Sequence, residues 1–196
     1  MNLKGGVGKT TTAIALATCA ARDGLDVEVL DADQQASAFN WAAEAEEEGD
    51  ALPFAVTPAN MGSIAYTAKR LKSSPDKWVF IDCPPGDKIV NAAQEAADMI
   101  VVPTSDGHAD LAKTLEAVAS FEAAGNAYAI LFTKVAKNTN AFAWAMEDVT
   151  TQGLSYFDQT IPRREALKNT CGFAFGKELF GYERVWEEIK AGLEED

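Results

Sequence analysis

Short apolar runs alternate along the chain with longer segments in which apolar residues recur every three or four positions. Runs such as residues 78–81 and 128–132 are wholly apolar, as in strands buried on both faces of a parallel sheet. The longer repeats indicate amphipathic helices. We predict strands at residues 27–30, 54–57, 78–81, 99–102 and 128–132, an extended segment at 154–160, and helices at 10–22, 38–48, 61–72, 89–97, 109–124, 141–151 and 182–193.

Strands and helices therefore follow each other in a regular order with short connections. That order predicts an α/β protein with three layers, in which a mainly parallel, twisted sheet carries helices on both faces. In the last helix one face is apolar, and we expect it to pack on the core through Tyr182, Val185, Trp186 and Ile189.

The composition limits the class of protein. A chain of 196 residues with a hydrophobic fraction of 47% is suited to one globular domain. Neither a signal peptide nor a run long enough to cross a membrane is present in the sequence. The three cysteines, Cys19, Cys83 and Cys171, have no metal-binding spacing, so we expect buried or half-buried thiols in a reduced cytoplasmic protein.

A glycine-rich stretch at residues 4–10, Lys-Gly-Gly-Val-Gly-Lys-Thr, carries the most specific chemistry. Its glycines leave backbone N–H groups free to surround phosphate oxygens, and the helix that follows directs its positive dipole end to the same place. Lys9 supplies a charge for the β- and γ-phosphates, and the Thr10 hydroxyl is a Mg²⁺ ligand. The predicted phosphate-binding residues are Gly5, Gly6, Val7, Gly8, Lys9, Thr10 and Thr11.

A phosphate loop of this kind follows a buried strand, yet only three residues precede Lys4. We therefore expect the first strand of this single domain, residues 1–196, to be truncated, with the native start upstream.

Acidic residues end two of the predicted strands. Asp31 and Asp33 follow residues 27–30, and Asp82 follows residues 78–81. Ligands of open α/β sheets bind at the carboxyl ends of strands. Asp82 is therefore expected to hold the metal through a bound water, and Asp33 to orient the attacking water. Asp31 is expected to lie behind the groups that contact the metal, without binding it directly.

These motifs, together with Ile-Pro-Arg at residues 161–163, resemble the ParA/MinD family of ATPases, whose deviant Walker A motif carries an extra lysine at the position of Lys4. The resemblance implies ATP or ADP with Mg²⁺ as cofactors and a P-loop NTPase fold. It also implies a homodimer formed with ATP, in which Lys4 reaches the phosphates of the partner's nucleotide. Thr133, Pro162 and Arg163 match positions that line the adenine.

The resemblance is strongest to small plasmid-partition ParA proteins. It implies a slow ATPase stimulated by a centromere-binding, ParB-like partner, and a nucleoid-associated dimer that binds DNA without sequence preference. The net charge of −13 opposes DNA binding, but residues 159–184 contain more basic than acidic side chains. The DNA-binding candidates are Arg163, Arg164, Lys168, Lys177, Arg184 and Lys190.

Other functions share parts of this pattern. A positioning ATPase for a protein cargo has the same motifs, and a metabolic ligase similar to dethiobiotin synthetase has the same fold, although Lys4 argues against it. The cysteine placement disfavours an iron–sulfur carrier. The acidic face of the last helix disfavours MinD-type membrane binding. His108 and Asp110 are expected in a loop at the nucleotide edge of the sheet. Sensing of the dimer state is one interpretation of these two residues, and an ordinary surface loop is the favoured one.

Overall fold

The computed structural model describes residues 1–71, 74, 76–86 and 88–194. Eight helices and six strands follow one another in these ranges. The predicted end of the third helix at residues 72, 73 and 75, and the acidic end at 195–196, lie outside them. The helices are α1 (Lys9–Arg22), α2 (Ser37–Glu47), α3 (Met61–Leu71), α4 (Ile89–Ala96), α5 (His108–Ala124), α6 (Asn140–Thr151), α7 (Glu165–Lys168) and α8 (Tyr182–Glu194). The strands are β1 (Asp26–Asp31), β2 (Ala55–Pro58), β3 (Lys77–Asp82), β4 (Ile100–Thr104), β5 (Tyr128–Val135) and β6 (Ile161–Pro162).

The strands pair in parallel as two groups of three, in the orders β2-β1-β3 and β4-β5-β6. Alternate residues of each strand point to opposite faces. Val29 of β1 and Leu131 of β5 therefore pack with α1, α2 and α8, whereas Leu30 packs with α3 and α4. Ile130 packs with α5 and α6. Helices on both faces of parallel strands confirm the predicted α/β class.

Helix α8 confirms its predicted apolar face. Tyr182, Val185, Trp186 and Ile189 are buried in the same core cluster as α1. The ring of Trp186 meets Trp78 of β3 edge-on, with their centroids 4.6 Å apart. Among the residues described, no helix has the length and apolarity that a membrane span requires.

Four local predictions need correction. The apolar residues of β3 are half-buried rather than buried on both faces. The short helix α7 was not expected, and His108 and Asp110 begin helix α5 instead of lying in a loop. Cys171 is exposed, whereas Cys19 and Cys83 are buried as expected.

Candidate functional site

Residues 4–8 form an open loop immediately before α1. Gly6 and Gly8 have φ angles of +78° and +89°, in the left-handed region where a side chain is strained. Gly8 is the N-cap of α1, so the free N–H groups of the first helical turn open onto the loop. Gly5 and Gly6 are exposed. The loop thus presents backbone donors and a helix N-terminus to solvent, an arrangement that attracts anions.

Side chains from other parts of the fold hold this loop in place. The buried hydroxyl of Thr133 donates to the Val7 carbonyl at 2.8 Å and also lies 3.1 Å from the carbonyl oxygen of Thr104. The Lys134 ammonium donates to the Gly6 carbonyl. Thr133 therefore lies beneath the loop, and the residue is only 2% exposed. Its contact with an adenine ring stays a prediction.

Two residues of this support were missed in the sequence. Asn2 is buried, and its amide donates to the Pro103 carbonyl at 2.7 Å while its Oδ1 accepts from the Lys4 N–H at 2.9 Å. Lys134 has a φ of +57°. The polar amide of Asn2, two residues before Lys4, was a signal in the sequence that could have indicated a contact with the loop. No residue pattern in the sequence indicates the positive φ of Lys134.

The acidic ends of β1 and β3 lie side by side, because Asp31 and Asp82 are partners in the parallel register. The Thr10 hydroxyl donates to Oδ2 of Asp82 at 2.6 Å. Asp31 instead accepts two backbone N–H groups, from Asp33 at 3.1 Å and Phe39 at 2.9 Å. Asp31 is thereby tied to the first turn of α2, whereas Asp82 faces the loop and α1.

Burial raises the pKa of Asp82 to about 6, with a further contribution from the charge of Asp31, while the Thr10 hydrogen bond and Lys9 oppose the rise. Burial likewise lowers the pKa of Lys9, and the Asp82 and Asp33 carboxylates oppose that change. Burial makes the ionised form of a carboxylate unfavourable, so a nearby cation stabilises the ionised form of such a carboxylate strongly.

A hydroxyl and a carboxylate 2.6 Å apart are suitable oxygen ligands for Mg²⁺, which is typically held by one or two carboxylates together with phosphate oxygens. Within the described part of the chain, no group of three His, Cys, Asp or Glu residues could hold a metal alone. Thr10 and Asp82 therefore fit a metal ion that arrives with a phosphate ligand, and such an ion would neutralise phosphate charge.

Both lysines of the loop are engaged. The Lys9 ammonium donates to the carbonyl oxygen of Lys4 at 2.9 Å. The Lys4 ammonium lies 3.5 Å from Oδ1 of Asp110, and its side chain is 47% exposed. Asp33 is half-buried near this group and accepts the Gln35 N–H at 2.9 Å. Of the predicted catalytic residues, Lys9 thus lies near both others: it contacts the Lys4 carbonyl and is close enough to Asp33 to feel its charge.

The remaining candidates lie on β6 and beyond it. Pro162 is half-buried in β6, and the Arg163 side chain is exposed. Of the basic DNA candidates, Lys168 pairs with Glu165 at 3.0 Å, and Lys190 pairs with Asp23 at 2.8 Å and Glu187 at 2.9 Å. Arg164 and Arg184 share a shallow depression with Glu178 and Glu183, and Lys177 is exposed. Carboxylates are thus interleaved with the predicted basic residues.

Comparison with known proteins matches the chain to one family and to individual relatives. The family model for the CobQ/CobB/MinD/ParA nucleotide binding domain matches residues 1–172. The carboxysome distribution protein A of Gloeobacter kilaueensis is 34% identical over 139 residues, which are 69% of this chain but 61% of that protein. The chromosome partitioning protein ParA of Caulobacter vibrioides is 27% identical over an alignment of 229 residues that covers 93% of this chain and 85% of that protein.

A solved structure shows the same fold. The putative plasmid partition protein of Borrelia burgdorferi, bound to AMPPNP, has a TM-score of 0.75 and 19% identity, with coverage of 100% of this chain and 97% of that one. At this identity the likeness establishes the parallel, helix-covered architecture alone.

Proposed function

Because the chain belongs to the CobQ/CobB/MinD/ParA nucleotide-binding domain family, we propose that it is an ATP-dependent dimerising switch with slow ATPase activity. The observation that carries the proposal is the position of Lys4. This lysine is half-exposed in the phosphate loop, and among the described residues its one carboxylate contact is the long one to Asp110, at 3.5 Å. A second protomer facing the loop would place its nucleotide within reach of such a side chain.

The other residues have separate roles in this proposal. The backbone of residues 5–8 and the Lys9 ammonium bind the phosphates, while Thr10 and Asp82 supply the ligands for Mg²⁺. Asp31 holds the start of α2 and adds negative charge behind the metal site. Asp33, at the mouth, accepts a hydrogen bond from the attacking water and orients it.

Dimerisation can be tested with a single lysine. We expect Lys4→Ala to reduce ATP-dependent dimerisation in light scattering, while the monomer still binds ATP, since the backbone donors of residues 5–8 and the Lys9 ammonium are unchanged. Lys113→Ala is the matched control, because Lys113 also pairs with one carboxylate on the surface, at 2.6 Å from Glu116. If Lys4→Ala dimerises with ATP as well as Lys113→Ala does, the proposed role of Lys4 is wrong.

For the biological task, we propose partition of plasmid or chromosomal DNA with a centromere-binding, ParB-like partner that stimulates hydrolysis. The similarity to the chromosome partitioning protein ParA of Caulobacter vibrioides supports this task. The ATP-bound dimer would then bind nucleoid DNA in the cytoplasm through Arg163, Arg164, Lys168, Lys177, Arg184 and Lys190.

A second candidate is the positioning of a protein cargo. The match to a protein named for carboxysome distribution favours it, as do the carboxylates that neighbour Lys168 and Lys190. A gel-shift titration with ATP at low salt separates the two. DNA binding that weakens steeply with salt supports DNA partition, and absence of binding at low salt supports a protein cargo.

A further inference from the structure

Lys134 has an unusual backbone conformation for its place in the fold. It lies inside strand β5, yet its φ angle is +57°, in the left-handed region that residues with a Cβ avoid. Strain of this kind persists only where other contacts maintain it, and it is concentrated at functional sites. The contacts of Lys134 therefore indicate what the strained conformation provides.

The pairing of β5 with β6 is irregular at this residue. Thr133 is opposite Ile161, and Val135 is opposite Pro162, so two steps along β5 correspond to one step along β6. Lys134 is the extra residue of a β-bulge in this parallel pair. Bulges next to functional sites change the direction of a side chain, and a left-handed bulge residue is usually glycine. A lysine at this position keeps the bulge and adds a long, charged side chain.

The bulge brings two consecutive side chains to the phosphate loop. In a regular strand successive side chains point to opposite faces of the sheet. Here the Thr133 hydroxyl donates to the Val7 carbonyl at 2.8 Å, and the Lys134 ammonium donates to the Gly6 carbonyl. Neighbouring residues of β5 thus contact neighbouring carbonyl groups of the loop.

These two contacts determine the direction of two peptide groups. In a trans peptide the C=O and the N–H that follows it point in opposite directions. Because the carbonyls of Gly6 and Val7 are bonded to β5, the N–H groups of Val7 and Gly8 point away from β5. Glycine accepts either sign of φ, so the peptide after Gly6 could turn over if Lys134 released it. A carbonyl oxygen would then replace an N–H donor and would repel a phosphate.

Lys134 is the residue of this pair whose side chain can be changed without disturbing the core. Thr133 is buried and also lies 3.1 Å from the Thr104 carbonyl, so removing its hydroxyl would leave buried carbonyl groups unsatisfied. The side chain of Lys134 is exposed. A change there acts mainly on the loop that its ammonium contacts.

We propose that Lys134 is a positioning residue for nucleotide binding. Its ammonium fixes the peptide between Gly6 and Val7 so that the loop presents N–H donors, and not a carbonyl oxygen, to a bound phosphate. Lys134 acts through the Gly6 carbonyl and does not itself contact the phosphate. This inference rests on the proposed function, in which the backbone of residues 5–8 binds the phosphates of ATP.

The first measurement needs no nucleotide. Backbone ¹⁵N relaxation is compared between the natural chain and Lys134→Met, whose side chain has a similar shape but no donor. We expect the N–H groups of Val7 and Gly8 to become mobile in the variant, with order parameters that fall below about 0.6 or with new μs–ms exchange. Lys137→Met, at an exposed lysine three residues further on, removes the same charge and should change neither. Unchanged relaxation in Lys134→Met would overturn the proposal, whether or not the protein binds ATP.

The second measurement is the Kd for ADP and ATP by calorimetry at about 0.1 M and about 1 M NaCl. We expect Lys134→Met to raise Kd roughly tenfold at both salt concentrations, because a hydrogen bond from a charged donor is lost. Lys134→Arg keeps a charged donor and should stay within about threefold of the natural chain. Exposed charges are screened at high salt, so a loss of affinity that disappears there would show a charge effect and overturn the proposal. If the natural chain binds no nucleotide, the proposed function is wrong, while the relaxation result still decides the effect of Lys134 on the loop.

Two backbone variants separate this role from a purely structural one. Lys134→Gly and Lys134→Ala both remove the side chain, but only glycine relieves the strain of the positive φ. We expect Lys134→Gly to melt about 2–4 °C above Lys134→Ala, while both bind ADP as weakly as Lys134→Met. If Lys134→Gly instead binds ADP as tightly as the natural chain, Lys134 serves only the shape of the bulge, and the proposal is wrong.

Discussion

Replacing Asp82 by Asn should stabilise the ligand-free protein and impair its catalysis at the same time. Asp82 is 2% exposed, and burial raises its pKa from 3.8 to about 6. Since one unit of pKa corresponds to about 1.4 kcal/mol, the ionised carboxylate costs about 3 kcal/mol of folding free energy at pH 7. Asn removes that charge and can still accept the hydrogen bond from Thr10. For a domain of this size, 3 kcal/mol is a rise in Tm of roughly 6–12 °C.

The pH dependence of this difference is fixed by the sign of the shift. A raised pKa means that folded Asp82 binds a proton more tightly than unfolded Asp82 does, so its destabilising effect is full above pH 6 and disappears as the pH falls toward 3.8. The advantage of Asp82→Asn over the natural chain should therefore shrink between pH 6 and pH 4. Thermal melts at several pH values measure it, without nucleotide and with EDTA.

Asp31 provides the matched control for this experiment. It is equally buried and is the register partner of Asp82, but its carboxylate accepts two backbone N–H groups. Asp31→Asn would turn an amide NH₂ toward one of those donors, and we expect a loss of about 1–3 kcal/mol. If both variants change Tm in the same direction at pH 7, the contrast drawn between the two carboxylates is wrong.

Mg²⁺-dependent ATP hydrolysis should fall sharply in Asp82→Asn, despite its greater stability.

Three further changes test other contacts. Asp110→Asn should free Lys4 and allow dimerisation at lower ATP in light scattering, and an unchanged ATP dependence would contradict this. The stability change should stay below about 1 kcal/mol, because the ion pair is long, at 3.5 Å, and the Lys4 side chain is 47% exposed. Asp23→Asn should lower the free energy of unfolding by at most about 1 kcal/mol. Hydrogen bonds from α8 lower the pKa of Asp23, so this loss should be present at neutral pH and vanish as pH falls below about 4 in urea titrations. Gly181→Ala, at a φ of +102°, should cost about 1–3 kcal/mol, whereas Gly176→Ala, whose added Cβ meets nothing within 4 Å, should be nearly neutral in thermal melts.

Local pattern accounts for most of the secondary structure and for the position of the phosphate loop. The spacing of Tyr182, Val185 and Trp186 predicts both helix α8 and its buried side. An apolar side of a helix packs against the core regardless of where in the fold the helix lies. The loop can be located from its glycines since the backbone conformation there requires them. Such features depend on neighbours in sequence and are therefore accessible without a structure.

Features that depend on distant contacts could not be predicted in the same way. The position of Thr133 after β5 indicates the ligand edge of the sheet, but its hydroxyl lies beneath the loop because Val7 is 2.8 Å away in space. Likewise, a continuous apolar run predicted full burial for β3. The run is only half-buried, because the burial of a strand depends on the elements packed around it, which the run itself does not contain.

In the proposed switch, the contacts of the loop connect phosphate binding to the backbone at Lys4. The Lys9 ammonium donates to the Lys4 carbonyl, the Thr10 hydroxyl donates to Asp82, and the Lys4 ammonium faces Asp110. A phosphate that drew Lys9 to itself would remove the hydrogen bond to the Lys4 carbonyl. A metal ion bound to the Thr10 oxygen would leave the Thr10 O–H free to donate to Asp82, so that contact could persist. Under the proposed function, occupancy of the loop would therefore remove one restraint on the backbone of the residue that is proposed to reach a second protomer.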